Sequence, residues 1–352
     1  MWTNRGIGVC SRPLCIIKTK KSELTKNDFI LQRIEERKFN KNECFLCCSE
    51  LNSENSTNEH VIPKWLQKKY NLWDQKLRLK NNTTFFYRNL TIPCCFTCNN
   101  KILEPLEDRV KNAHSKGIDA FQELDKSDLF LWLGKIYYGI LYKELFLKWD
   151  WKSKETDSIN SPEFMDSFFM HFLFLQKARI NLTYENFFPA SIYVFETQEN
   201  EQNYWDFIDN HETLFIAIRM GNIGVISLLQ DCQKSKTLEI HLNSYKEVEL
   251  HPIQFRELAS KILYKGLLEK HPNKFMYIEN STDGSINVIK QGSYYQDHLF
   301  NEWVDEEYAK YLAHLLGFPI EVVFSEGILY TFLKDEDGKA KHIDINMKID
   351  YA

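Results

Sequence analysis

The chain has 352 residues, 43% hydrophobic and 14% aromatic, with a formal net charge of −5. That composition excludes a disordered chain, and the length favours two domains, since single cores seldom grow beyond about 250–300 residues. No apolar run approaches the roughly 18 residues of a membrane-spanning helix, and the opening residues lack the apolar stretch and small-residue cleavage site of a secretory signal. The expectation is a cytoplasmic protein with no membrane partner.

The charge is unevenly spread. Residues 1–118 hold 21 Lys and Arg against 12 Asp and Glu, a balance of +9; residues 119–352 hold 23 against 37, a balance of −14. A basic segment suits a phosphate-bearing partner, and an acidic one suits something else. The charge change and Gly117 set the expected division: residues 1–118 as one domain, with its motif core at 44–109, and residues 119–352 as another.

In chain order, residues 22–39 pattern as a short helix, with Ser22 and Thr25 as candidate N-caps and Arg33, Arg37 and Lys38 as a candidate DNA-facing strip. Residues 44–60 bring a Cys-x-x-Cys turn, a polar loop and then Glu59-His60, with Pro63 breaking the strand that carries them. Residues 77–93 are β-rich, with a turn at Asn81-Asn82, and a helix follows the last cysteine of a second Cys cluster. From about residue 119 the texture changes. Residues 121–149 read as a helix buried on most sides and broken near Gly134 or Gly139, and residues 161–180 as a second, capped by Ser161-Pro162. Strands are expected at 190–198, in a hairpin through Gly221-Asn222, in another through Asp283-Gly284 and in a third around Asp337-Gly338. Helices are expected at 251–270 and 305–318. The second part is therefore α+β with antiparallel hairpins.

Nine cysteines occur, six of them in two tight clusters at 44, 47, 48 and 94, 95, 98. Clustering of this kind suits a metal site in a reducing compartment better than a disulfide framework. Two x2-spaced pairs, Cys44/Cys47 and Cys95/Cys98, supply four soft thiolates, which is what tetrahedral structural zinc takes. Cys48 and Cys94 offer alternative ligands.

A structural zinc knuckle needs neither Glu59-His60 between its Cys pairs nor Asn99-Asn100 after the last cysteine. With those additions the stretch resembles the HNH, or ββα-metal, endonucleases, in the branch whose finger is pinned by zinc. The likeness covers about 65 residues and implies a zinc-pinned ββα finger followed by a larger α+β domain. Carried over residue by residue, His60 matches the general base, and Glu59 and Asn99 match the ligands of a catalytic Mg²⁺ or Mn²⁺. Asn89 matches the asparagine that buttresses the histidine loop. Lys64, Arg88, Lys101 and Arg109 are the candidate phosphate contacts. Neutral imidazole suits proton abstraction near pH 7, and a hard divalent cation suits phosphodiester charge.

The implied activity is DNA phosphodiester hydrolysis. Free-standing nucleases with a large appended domain resemble bacterial or phage-borne antiviral defence effectors. In these the second domain senses a signal ligand, forms a homo-oligomer or docks on a defence-system partner protein. Two alternatives stay open at this point: a zinc-stabilised nucleic-acid-binding adaptor without cleavage, and an RNase or toxin using the same site.

Overall fold

A computed structural model describes residues 26–150, 152, 157–280, 285–292 and 298–347. The fold is mixed α+β, with eleven α-helices among the described residues and several small sheets. In the first part, α1 (Lys26–Glu35) leads into the first Cys turn. Strand β1 (Ser56–His60) and helix α2 (Lys64–Lys69) follow, then the hairpin of β2 (Lys76–Arg78) and β3 (Thr84–Phe86), then β4 (Thr91–Cys95). A π-helical segment, Thr97–Leu103, runs directly into α3 (Glu104–Lys116). Strands β1 and β4 pair antiparallel, with Glu59 opposite Ile92 and His60 opposite Thr91. The long gap between the Cys pairs is thus filled by α2 and a small hairpin, whose turn holds Asn82 at φ +64°.

Gly117 (φ +100°) ends α3 and opens α4 (Ile118–Gln122), after which α5 (Lys126–Glu144) begins. The Asp125 side chain caps α5 by accepting from the backbone N–H groups of Ser127 and Asp128. Nearly every residue from Leu129 to Tyr142 is buried, as the all-round apolar pattern predicts. The expected break is not there: α5 runs unbroken through both glycines. Their role is close approach. A Cβ on Gly134 would lie 2.8 Å from Leu175 Cδ2, and one on Gly139 would lie 3.1 Å from Val61 Cγ1 and 3.3 Å from Ile92 Cδ1. Helix α5 therefore lies directly against the back of the β1–β4 hairpin.

The second expected helix divides in two, α6 (Pro162–Asp166), capped by Ser161, and α7 (Phe169–Leu175). Next come β5 (Leu182–Glu185), β6 (Ser191–Glu196), β7 (Trp205–Asn210), β8 (Phe215–Met220) and β9 (Ile223–Leu228). The last four form an antiparallel sheet in the order β6-β9-β8-β7. Strands β8 and β9 are buried throughout, and their alternation feeds two cores. Ile216, Ile218, Met220, Ile223 and Val225 join the finger and α5. Phe215, Ala217, Ile226 and Leu228 face a cluster that also holds Phe255 and Ile262. Those two side chains belong to α9 (Pro252–Leu267), which follows the short α8 (Glu239–Leu242).

Strands β10 (Phe275–Glu279) and β11 (Ile286–Lys290) pair antiparallel as expected, and their Asp283-Gly284 turn lies outside the described residues. Strand β11 also pairs with β5, in parallel, through a long connection that local turn signals do not announce. After α10 (Asp305–Leu316) and α11 (Ile320–Val323), β12 (Phe324–Ser325) pairs with β13 (Ile328–Leu329). The expected third hairpin shrinks to one bridge, Lys334 to Ala340, around Gly338.

One apolar cluster contains Cys44, Val61, Leu66 and Ile92 together with Trp132, Ile136, Phe172, Met220 and Val288. The apolar packing thus continues across residue 118, while the charge balance changes there. Arg37 is also drawn inward and leaves the expected DNA-facing strip. Its side chain is 4% exposed, reaches Asp166 Oδ1 at 2.8 Å and lies over the rings of Phe39, Phe169 and Phe172.

The seating of α5 gives a prediction. Gly139→Val places two γ-carbons where Val61 and Ile92 already pack. Urea unfolding should show a loss of about 1–3 kcal/mol, the range for overpacking a filled core. An unchanged midpoint would mean that α5 does not bear on the hairpin.

Candidate zinc centre and histidine site

The first Cys turn is closed by its backbone. Cys48 N–H donates to Cys44 O (2.8 Å) and Cys44 N–H to Ser49 O (2.9 Å), with Cys48 at φ +54°. Phe45 N–H donates to Pro93 O (2.9 Å), which ties the turn to β4. In the second turn Cys98 N–H points at Cys95 Sγ, 3.3 Å away. The Sγ atoms of Cys44, Cys47, Cys95 and Cys98 all lie within 4.8 Å of one another, and all four residues are buried. Cys47 and Cys95 are 3.7 Å apart at sulfur, near the roughly 3.8 Å edge of a tetrahedron with Zn–S bonds of about 2.3 Å.

This is the one such group of His, Cys, Asp or Glu ligands among the described residues. It comprises the x2-spaced pairs and omits Cys48 and Cys94, although Cys94 Sγ lies 3.9 Å from Cys44 Sγ. Cys94 stands opposite Thr57 on the strand face that meets the core, while Cys95 stands opposite Ser56. Burial pushes the Cys48 thiol up to about 12. Within the group, contact with Cys44, Cys95 and Cys98 holds Cys47 far below the usual thiol range. Cys44 is pushed up to about 12, chiefly by Cys47. Four buried sulfurs this close form a soft, tetrahedral donor set of the kind that structural zinc takes.

Glu59 does not stand open to a metal. Strand alternation turns it to the hairpin face that meets α5, where it is 6% exposed. There its Oε1 is 2.5 Å from Lys135 Nζ. The same ammonium reaches Glu107 Oε1 at 2.7 Å and donates to the main-chain oxygen of His60 at 3.2 Å. Burial pushes the Glu59 carboxyl up to about 7, against the pull of Lys135. Burial acts to weaken the Lys135 charge, but Glu107 and Glu59 outweigh it and hold its pKa above the usual lysine value.

Asn99 follows Cys98 on the π-helical segment. Its Nδ2 donates to Thr57 Oγ1 (3.0 Å), and that hydroxyl donates to Cys94 O (3.0 Å). Asn99 thus fastens the helical segment to β1 on the face that carries Glu59. His60 closes β1 on the opposite face, half-buried, its ring stacked on Trp73 at 5.9 Å and 18°. The hairpin therefore divides the three expected chemical residues: Glu59 and Asn99 share one face, and His60 takes the other. Asn89 is exposed at the end of a 3₁₀ turn. The backbone bond that ties this turn to the histidine loop, Val61 N–H to Leu90 O (2.9 Å), comes from its neighbour.

The candidate phosphate contacts also separate. Lys64, at the start of α2, and Lys101 are exposed. Arg88 is paired with Asp74 and lies over the Phe86 ring at 4.2 Å. Arg109 forks onto both oxygens of Asp128, at 2.5 and 2.8 Å. Lys135, Glu107 and Trp73 are participants that sequence reasoning missed. A signal for Lys135 was present: one charge in the middle of LWLGKIYYG, on a helix with no polar face, has to find a buried counter-charge.

No protein-family model matches this chain, and no curated protein or solved structure matches it either.

Two outcomes follow from this geometry. The purified protein should carry one zinc per chain. Cys98→Ser should lose it, and Cys48→Ser and Cys94→Ser should keep it, as read by metal analysis; zinc loss from Cys48→Ser would redraw the ligand set. The second concerns His60, where burial, then Lys64 and Lys135, depress the ring to about 4. The depressed value means that the ring sheds its proton at lower pH than free imidazole and is neutral throughout pH 5–8. Histidine-ring ¹⁵N shifts should show one ring, absent in His60→Gln, titrating near 4; titration near 6.5 would show that the ring is solvated.

Proposed function

We propose that this chain is an HNH-type endonuclease that hydrolyses DNA phosphodiester bonds, and that it serves as a defence effector controlled by residues 119–352 or by a partner. The observation that carries the reading is the order and pairing of the finger. A strand ending in His60 pairs with a strand that leads into the second zinc turn, and Asn99 opens the helical segment fastened across them. Zinc in this reading is scaffold.

His60 acts as the general base. Its neutral ring is half-buried and stacked on Trp73, and Lys64 and Lys101 supply exposed positive charge for phosphate. A Mg²⁺ or Mn²⁺ would supply charge stabilisation at the phosphate. Glu59, one of the donors expected for it, does not fit in this conformation, because Lys135 binds its carboxylate. No step is therefore assigned to that ion. The same observation favours a second reading, a zinc-stabilised nucleic-acid-binding adaptor that does not cut.

Supercoiled plasmid and single-stranded RNA, each incubated with the zinc-loaded protein and Mg²⁺ or Mn²⁺, separate these readings. The expected result is plasmid nicking that His60→Ala slows by about 10²–10⁴-fold, the usual worth of a general base. Binding without cleavage by either protein would establish the adaptor. Cleavage of RNA alone would move the same chemistry to an RNase.

A further inference from the structure

The mismatch between Glu59 and its expected metal has a specific physical form. Three oxygens converge on one ammonium: Glu59 Oε1 at 2.5 Å, Glu107 Oε1 at 2.7 Å and His60 O at 3.2 Å from Lys135 Nζ. Two are carboxylate oxygens, from β1 and α3, and one is a main-chain carbonyl. Carboxylate and carbonyl oxygens are the hard donors that Mg²⁺ and Mn²⁺ take. Here a cation of the chain itself has collected them. It is well seated: the Lys135 side chain is 2% exposed, and Gly134 and Gly139 press its helix against α7 and the hairpin.

An ammonium and a divalent ion cannot share these oxygens. Both need the same lone pairs, and cations a few ångströms apart in a buried site repel strongly. The finger's motif ends before residue 118, and the competing cation is supplied by α5, which lies beyond it.

We propose that Lys135 is a tethered cation standing where a divalent metal would bind Glu59, so that the described conformation is a metal-excluded resting form. It becomes metal-competent only when the Lys135 amine leaves Glu59 and Glu107. The proposal takes the purpose of the site from the nuclease reading, but the exclusion itself is a property of these groups and is measured without any cleavage assay. Residues 119–352 would then control the finger by the position of α5.

The test uses full-length, zinc-loaded protein and Mn²⁺, followed by the EPR signal of the free ion and by thermal melting. Lys135→Met keeps the stem and removes the charge, leaving two buried carboxylates with no counter-ion. It should bind one Mn²⁺ at least about tenfold more tightly than wild type, a difference readily resolved in a binding titration. Its melting temperature should rise with Mn²⁺, where that of wild type does not. Adding Glu59→Gln to Lys135→Met should abolish the gain, and Lys135→Arg should behave as wild type. Lys135→Met that binds Mn²⁺ no better than wild type, or that fails to fold with and without Mn²⁺ alike, overturns the proposal. So does a wild-type protein that binds one Mn²⁺ which Glu59→Gln removes. Mn²⁺ gain in Lys135→Met without DNA cleavage by any variant would uphold the proposal and remove the nuclease reading; wild-type cleavage without that gain would do the reverse.

Discussion

An ammonium group deep in an apolar helix needs negative charge close by, and Lys135 meets that need with Glu59 from the finger strand and Glu107 from the finger helix. Breaking one partner out of such a cluster costs about 3–5 kcal/mol, because it leaves an uncompensated buried charge. The relative positions of β1, α3 and α5 are therefore fixed together. The same contact sets the electrostatics of the site, since Lys135 helps to keep His60 neutral and competes for the carboxylate expected to bind metal.

Around that contact the packing is continuous. Four cysteine sulfurs gather two turns separated by nearly fifty residues into one small cluster that suits zinc, and the Phe45 backbone bond to Pro93 reinforces it. Val61 and Ile92, behind the hairpin, pack where Gly139 leaves room. The inner face of β8 and β9 closes the same core from the far side. A finger built this way shares its core with the acidic part of the chain, so a change in the position of α5 is felt at Glu59 without an intervening linker.

What the sequence made legible was local. The two Cys pairs, the strand ending in His60, the Gly221-Asn222 hairpin, the Ser161 cap and helices α9 and α10 all follow from spacing, turn chemistry or periodicity over a few residues. What it hid was long-range. Lys135 lies 76 positions from Glu59 in sequence, and Arg37 lies 129 from Asp166, so no window contains both partners. The parallel pairing of β5 with β11 is equally remote. The Asp337-Gly338 signal correctly marked a turn, but a turn yields a hairpin only where its flanks have a face to bury, and residues 334–342 are mostly exposed. The resemblance to HNH nucleases set the expectation for Glu59, His60 and Asn99, and tertiary charge pairing ties Glu59 to Lys135, a partner no local window contains.

The most direct measurement is anomalous diffraction, at the zinc and manganese edges, from crystals of the zinc-loaded protein grown with Mn²⁺. The account predicts a zinc peak among Cys44, Cys47, Cys95 and Cys98, with Lys135 between Glu59 and Glu107 and no manganese peak beside them. A manganese ion bound to Glu59, with the Lys135 side chain turned away, would contradict it.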